Sequence, residues 1–209
     1  MSKIELYGFP QSTYVRVARM ACHEKGVDYD LHPVPPHSEE VNAVHPLGKI
    51  PVMRHGDIEL CESKAIAGYI DRTFDGPPLI PEAPLDAARV EQWVSMVNTA
   101  MDRLLIRDYL FHYIFPKGPN DTPDRAAIDA LLDDVGKHVG VLDAAAEGGH
   151  LVGDSFTLAD INTMPILFYI NQMPEASEMI KRSKNLGDYY DRHAARESFK
   201  ATVPPPPSN

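Results

Sequence analysis

Apolar and polar residues alternate at the start of the chain, Ile4 and Leu6 against Lys3 and Glu5, the two-residue period of a strand. From Tyr14 the period lengthens. Tyr14, Val15, Ala18, Ala21 and Cys22 fall on one helical face, and Gly26 stands where a C-terminal cap glycine belongs. Tyr29 and Leu31 alternate again before Pro33, so residues 3–34 read as strand, helix, strand, a short crossover that favours parallel strands. Residues 38–44 allow a short helix. Residues 52–60 hold two short runs around Gly56–Asp57, a hairpin signal. Ala65, Ile66, Tyr69, Ile70 and Phe74 then share a face of another helix. The order predicts a compact α/β unit, βαβαββα, over residues 1–76.

Residues 75–84 carry four prolines and a glycine, which cannot continue a helix; residues 77–84 read as a stiff linker. No strand period follows. Residues 85–115 are helical by pattern, with Val90, Trp93, Val94, Val97 and Met101 on one side. Residues 124–146 repeat Ile128, Leu131, Leu132, Val135, Val139 and Leu142 at spacings of three or four. A further helix starts within 155–161, and one or two more run through 175–198. Residues 85–209 are therefore predicted as an all-helical domain, ending in a polyproline tail (203–209) without a fixed fold.

The 209 residues are 44% hydrophobic and 24% charged, ordinary for a globular protein with a core of useful size. A net charge of −10 with no basic run excludes a nucleic-acid partner as an expectation. Cys22 and Cys61 lie far apart with no C-x-x-C, which speaks against a disulfide scaffold and a zinc site. Nine histidines form no helical H-x-x-x-H pair with an acid, so no metal is expected. No leader-like apolar segment opens the chain and no apolar run of about 18 residues occurs, so a cytoplasmic protein off the membrane is expected.

Three starts of elements could carry chemistry. Ser12 can cap the first helix, where orphan N–H groups and the positive end of the helix dipole favour an anion such as a thiolate. Tyr7 brings a second hydroxyl to the end of the first strand. Pro51 opens a strand; a cis bond there would turn the N–H and C=O of Ile50 outward to pair with an extended peptide. Glu62 and Ser63 begin an amphipathic helix, where Ser63 can cap and hold a carboxylate. Taken singly, these are also a cap serine, a strand tyrosine, a trans proline and a second cap. Together they belong at the C-terminal edge of one sheet, where α/β folds bind ligands. Thr157 and Asp160 match a capping box, and Arg16 reads as a solvent-facing helix residue.

The segments Tyr7–Ser12, His45–Val52, Leu60–Ile70 and Leu151–Ile161 resemble the cytosolic glutathione S-transferases over nearly the whole chain. The spacing of Ser12 is most similar to the phi-like, serine-type branch. The resemblance implies a thioredoxin-like N-terminal domain, an all-helical C-terminal domain, glutathione as co-substrate and a homodimer. It implies Ser12 as catalytic residue, with Tyr7 the rival by analogy with tyrosine-type members. Ile50 would pair with the cysteinyl unit beside a cis Pro51, Glu62 and Ser63 would hold the γ-glutamyl end, and Lys49 and His37 would lie near the glycine end. Pro10, Gln11, Tyr109, His112, Tyr113 and Phe115 would wall the pocket for a hydrophobic electrophile. Two departures stand out: His37 replaces the more usual lysine, and His45–Pro46 replaces Asn–Pro. A serine where cysteine-type members carry their thiol disfavours thiol-transfer chemistry. Glutathione-dependent isomerisation, dehalogenation, and disulfide or peroxide reduction stay open on the same scaffold. So does a non-catalytic binding protein, although Ser12, Pro51, Glu62 and Ser63 together argue against it.

Overall fold

The computed structural model describes residues 2–205. The end of the expected polyproline tail, 206–209, lies outside the described residues. The strands are β1 (Ile4–Tyr7), β2 (Tyr29–His32), β3 (Val52–His55) and β4 (Ile58–Cys61). Helices α1 (Thr13–Glu24), α2 (Glu39–Asn42) and α3 (Ser63–Thr73) alternate with them. Then come α4 (Pro84–Met96), α5 (Phe111–Ile114), α6 (Arg125–Ala145), α7 (Leu158–Ile170), α8 (Pro174–Arg182), α9 (Leu186–Ala194) and α10 (Glu197–Lys200). Between α4 and α5 the backbone widens to π-type hydrogen bonding over Val97–Leu110, so the long helix expected across 85–115 is not one α-helix.

Two compact units form. One holds the residues up to Ala87 and those from Ala194 onward; the other is Ala88–His193. Sequence order alone had assigned the last residues to the helical domain. Their partners explain the difference. Arg196 makes two hydrogen bonds to the Glu24 carboxylate at 2.9 and 2.6 Å, and Ser198 donates a third. Arg19 donates to the carbonyls of Ala201 and Thr202. These charge-assisted bonds fasten the chain's end to α1.

In the first unit the sheet order is β2-β1-β3-β4, with β1 parallel to β2 and antiparallel to β3. The two central strands are the apolar ones: Ile4, Leu6, Val52 and Met53 are fully buried, while Ile58 and Glu59 of edge strand β4 are exposed. Helices α1 and α3 pack together, and Val41 of α2 clusters with Tyr7 and Val52. Residues 77–84, read as a stiff linker, are fastened to the first unit at their start. The Asp71 carboxylate accepts from the N–H groups of Leu79 and Ile80 at 2.8 and 3.1 Å and from Lys25 Nζ at 3.1 Å. Lys25 donates also to the carbonyls of Gly76 and Pro77.

The second unit is all-helical. Its centre is α7, buried almost all round, and Pro165 inside it is buried as well. The capping box at its start is present, and the Asp160 carboxylate accepts further bonds from Leu151 N–H and the Tyr189 hydroxyl. Asp124 caps α6 through Ala127 N–H, and Asp143 accepts from the N–H groups of Asn185 and Leu186 where α9 begins. Glu175, in the first turn of α8, gathers the Tyr109 hydroxyl at 3.0 Å, the Tyr113 hydroxyl at 2.5 Å and Arg125 at 2.6 Å.

Two outcomes follow for stability. Lys25 and Asp71 side chains are only 3% and 7% exposed, so Asp71→Ala leaves a buried ammonium without its counter-charge and the Leu79 and Ile80 N–H groups without their acceptor. Equilibrium urea unfolding should show a loss of about 3–5 kcal/mol; a loss under about 1 kcal/mol contradicts the latch. Burial alone would raise the Glu175 carboxyl, but Tyr113, Arg125, its own backbone N–H and Tyr109 outweigh it and hold it at about 2. The folded carboxyl thus binds its proton later than the unfolded one. Its stabilisation is complete above the ordinary 4.5 and fades as pH falls towards 2. The loss is on the order of 2–3 kcal/mol, and Glu175→Gln should flatten that segment of a stability–pH curve.

Candidate functional site

The strand register gathers the candidate residues. Tyr7 pairs with His32 on one side and Val52 on the other, and Val52 pairs with Cys61. The loops that follow Tyr7, His32 and Cys61, and the one that enters at Val52, therefore leave one end of the sheet. Ser12, His37, Lys49–Pro51 and Glu62 all stand on these loops, and Ser63 opens the helix that follows the last of them. Gly8 lets the first loop turn tightly: at φ 145° a Cβ there would meet Val15 Cγ2 at 2.6 Å and Ile50 Cβ at 3.0 Å. Ile50 and the start of α1 are thereby brought close together.

Ser12 is the N-cap of α1, its Oγ accepting from Val15 N–H at 3.3 Å. A hydroxyl has two lone pairs and one proton. The cap uses a lone pair and leaves the proton for an acceptor at the helix tip. Tyr7 is differently placed. It is buried, stacks on His32 at 4.6 Å with an 18° interplanar angle, and has Arg54 5.4 Å from its ring centroid. Arg16, expected at the surface, is fully buried with its guanidinium 4.9 Å from the Phe199 ring centroid. An aromatic face offsets part of the cost of burying that charge.

The Ile50–Pro51 bond is cis. Ile50 lies outside β3, and no loop or turn hydrogen bond among the described residues uses its N–H or C=O. Glu62, not Ser63, is the N-cap residue of α3; it has φ 70° and makes no side-chain cap bond. Ser63 is the first helical residue and is buried. Lys49 and His37 are exposed. His37 has φ 64°, and its carbonyl accepts from Asn42 Nδ2 at 2.8 Å.

Of the residues expected at an electrophile pocket, Pro10 is half-buried and Gln11 exposed in the first unit. In the second, His112 and Tyr113 are half-buried and Phe115 is exposed. Tyr109 is a correction: it is fully buried, its hydroxyl bound to Glu175 and to Ala176 N–H, so it belongs to the core of its unit and not to an open wall. Sequence periodicity missed this because Glu175 is far away in the chain. It also missed His45, buried with its Nε2 3.3 Å from Glu62 Oε1.

Both cysteines are free thiols, and burial pushes Cys22 up to about 12, which removes it as a nucleophile. Among the described residues one group has metal-ligand spacing: His150, Asp160 and His193, in the second unit. The Asp160 oxygens there already accept from Thr157 N–H and hydroxyl, Leu151 N–H and the Tyr189 hydroxyl, so its lone pairs are spent on the cap. No helix among the described residues is long and apolar enough to cross a membrane.

Comparison with known proteins agrees with this geometry. The model for the glutathione S-transferase N-terminal domain matches residues 6–78, and that for the C-terminal domain matches residues 106–197. Glutathione S-transferase 3 of Zea mays is 30% identical, with 100% of this chain and 99% of that protein covered. Glutathione transferase F7 of Populus trichocarpa superposes with a TM-score of 0.83 at 27% identity, covering 95% of this chain and 97% of the other. A theta class glutathione S-transferase of Xanthomonas axonopodis pv. citri, solved with glutathione bound, gives a TM-score of 0.80 at 26% identity, covering 97% of each chain. The chain belongs to the glutathione S-transferase family.

Proposed function

We propose that glutathione lies along the open end of the sheet with its sulfur held as a thiolate by the Ser12 hydroxyl, for attack on a hydrophobic electrophile. The observation that supports this most is the Ser12 cap, whose Oγ takes Val15 N–H and keeps its own proton to give. A free thiol titrates near 8.5, so little is ionised at neutral pH. A donor at the sulfur together with the α1 dipole favours the charged form. The thiol proton goes to solvent, the sulfur lone pair forms a C–S bond, and the leaving group departs with the electrons of the broken bond.

The other residues have roles in the same reading. Ile50 offers its backbone N–H and C=O to the cysteinyl unit, as an added strand would use them. Ser63 and the N-terminus of α3 take the γ-glutamyl carboxylate, and Glu62 takes the ammonium. The exposed Lys49 and His37 suit the glycine end, Lys49 as a cation for its carboxylate. In the first unit, half-buried Pro10 and exposed Gln11 are assigned to the electrophile. We assign the protein to a cytoplasmic homodimer on the family's habit.

Two measurements test the core of this. Ser12→Ala should cut conjugation of an activated aryl halide by ~10²-fold or more while Tyr7→Phe changes it little; the reverse pattern moves the thiolate to Tyr7. Ser63→Ala should raise KM for glutathione more than it lowers kcat, and an unchanged KM removes Ser63 from the site.

A further inference from the structure

Glu62 poses a problem for any ligand that needs its carboxylate in a fixed place. Its side chain is 69% exposed, and it caps nothing. A long exposed glutamate loses considerable rotamer entropy when it is pinned by a ligand. The backbone at φ 70° aims it in an unusual direction, but among the described residues its one side-chain partner is His45, with Nε2 3.3 Å from Oε1.

His45 is in contrast held firmly. It is 4% exposed, its N–H donates to Val41 O at 2.8 Å, and its C=O accepts from Gly48 N–H at 2.9 Å. Its Nδ1 lies 3.0 Å from the N–H of Leu47. An N–H can only donate, so Nδ1 is the acceptor and Nε2 carries the proton that faces Glu62. The backbone thus selects the tautomer, and the Nε2 that carries the proton lies 3.3 Å from Oε1. With His45 beside Oε1, Oε2 is left for a cation.

We infer that His45 is a positioning residue that sets the Glu62 carboxylate for the ammonium of the γ-glutamyl end. This rests on the glutathione reading above and deepens it. The pairing has a consequence for the loop as a whole. Residues 45–51 carry His45 at one end and the cis Ile50–Pro51 at the other, so one short rigid segment serves both the γ-glutamyl and the cysteinyl parts of the peptide.

The test compares glutathione with glutaryl-cysteinyl-glycine, the same peptide without the ammonium, in steady-state conjugation of an activated aryl halide. Wild type should have a clearly lower KM for glutathione. His45→Phe fills the buried volume and removes the Nε2 donor. It should raise KM for glutathione ~10-fold, leave kcat within ~2-fold, and leave KM for the glutaryl peptide within ~2-fold. His45→Asn, small and polar for the case in which the phenyl ring disturbs folding, keeps an acceptor for Leu47 but falls short of Glu62, and should behave alike. His45→Gln returns a donor near the Nε2 position and should recover most of the loss. Equal losses for both peptides make His45 a packing residue and overturn the proposal, as does an unchanged KM for glutathione. A wild-type enzyme that treats the two peptides alike overturns the ammonium reading itself, an outcome recognisable without any variant.

Discussion

The site depends on strand register. Tyr7 opposite Val52, and Val52 opposite Cys61, bring the ends of three strands level, and every candidate residue of the first unit follows or precedes one of these positions. A slip of one residue in either pairing would turn the inward side chains of a central strand outward. It would also carry Ile50 or Glu62 away from the tip of α1. Register is secured because Ile4, Leu6 and Met53 are buried on one face while Glu5 and Arg54 stay partly exposed on the other, so a one-residue slip would exchange apolar and charged side chains.

Within that frame the proposed thiolate chemistry turns on which hydroxyl stands at a helix tip. Tyr7 is buried at the end of a strand, its ring stacked on His32 and beneath the Arg54 guanidinium. Moving it would break that stack. The Ser12 hydroxyl accepts from Val15 N–H, in the helix whose dipole points at the same spot, and keeps its proton to donate. Capping and thiolate stabilisation are therefore compatible demands on one oxygen. In the proposed reading, a cysteine there would compete for the position of the substrate's own sulfur.

Much of this was legible in the sequence where the signal was local. The change of period at Tyr14 marked α1, Gly56–Asp57 marked the hairpin, and Thr157 with Asp160 marked the start of α7. The roles of Ile50, Glu62 and Ser63 came from the resemblance to a family, since a cap serine looks the same whether or not it meets a ligand. What stayed hidden depended on distant partners. Arg16 counts as polar in any helical pattern, so its burial against Phe199, near the other end of the chain, left no trace in the spacing. Tyr109 looked like part of an aromatic wall because its carboxylate partner comes only at Glu175. His45 stood in a turn-rich stretch, where burial has no periodic signature at all. The proline-rich 77–84 read as a stiff linker with no sign of its anchor, because Asp71, which holds it, sits in the last turn of α3 and reads as ordinary surface charge.

The placement of residues 194–205 with the first unit fits the demand made on α1. A dipole that stabilises charge does so only if it cannot swing away when the charge appears. On one side α1 is held by α3 and the sheet. Along the rest of its length, Arg16, Arg19 and Glu24 meet Phe199, Ala201, Thr202, Arg196 and Ser198. Three charged residues on one helix are thus matched by the chain's own end, and an arginine is buried to do it. An α/β unit that stopped at the linker would lack these contacts on α1. The last residues in this sense brace the proposed thiolate site, although they come nowhere near Ser12 in the sequence.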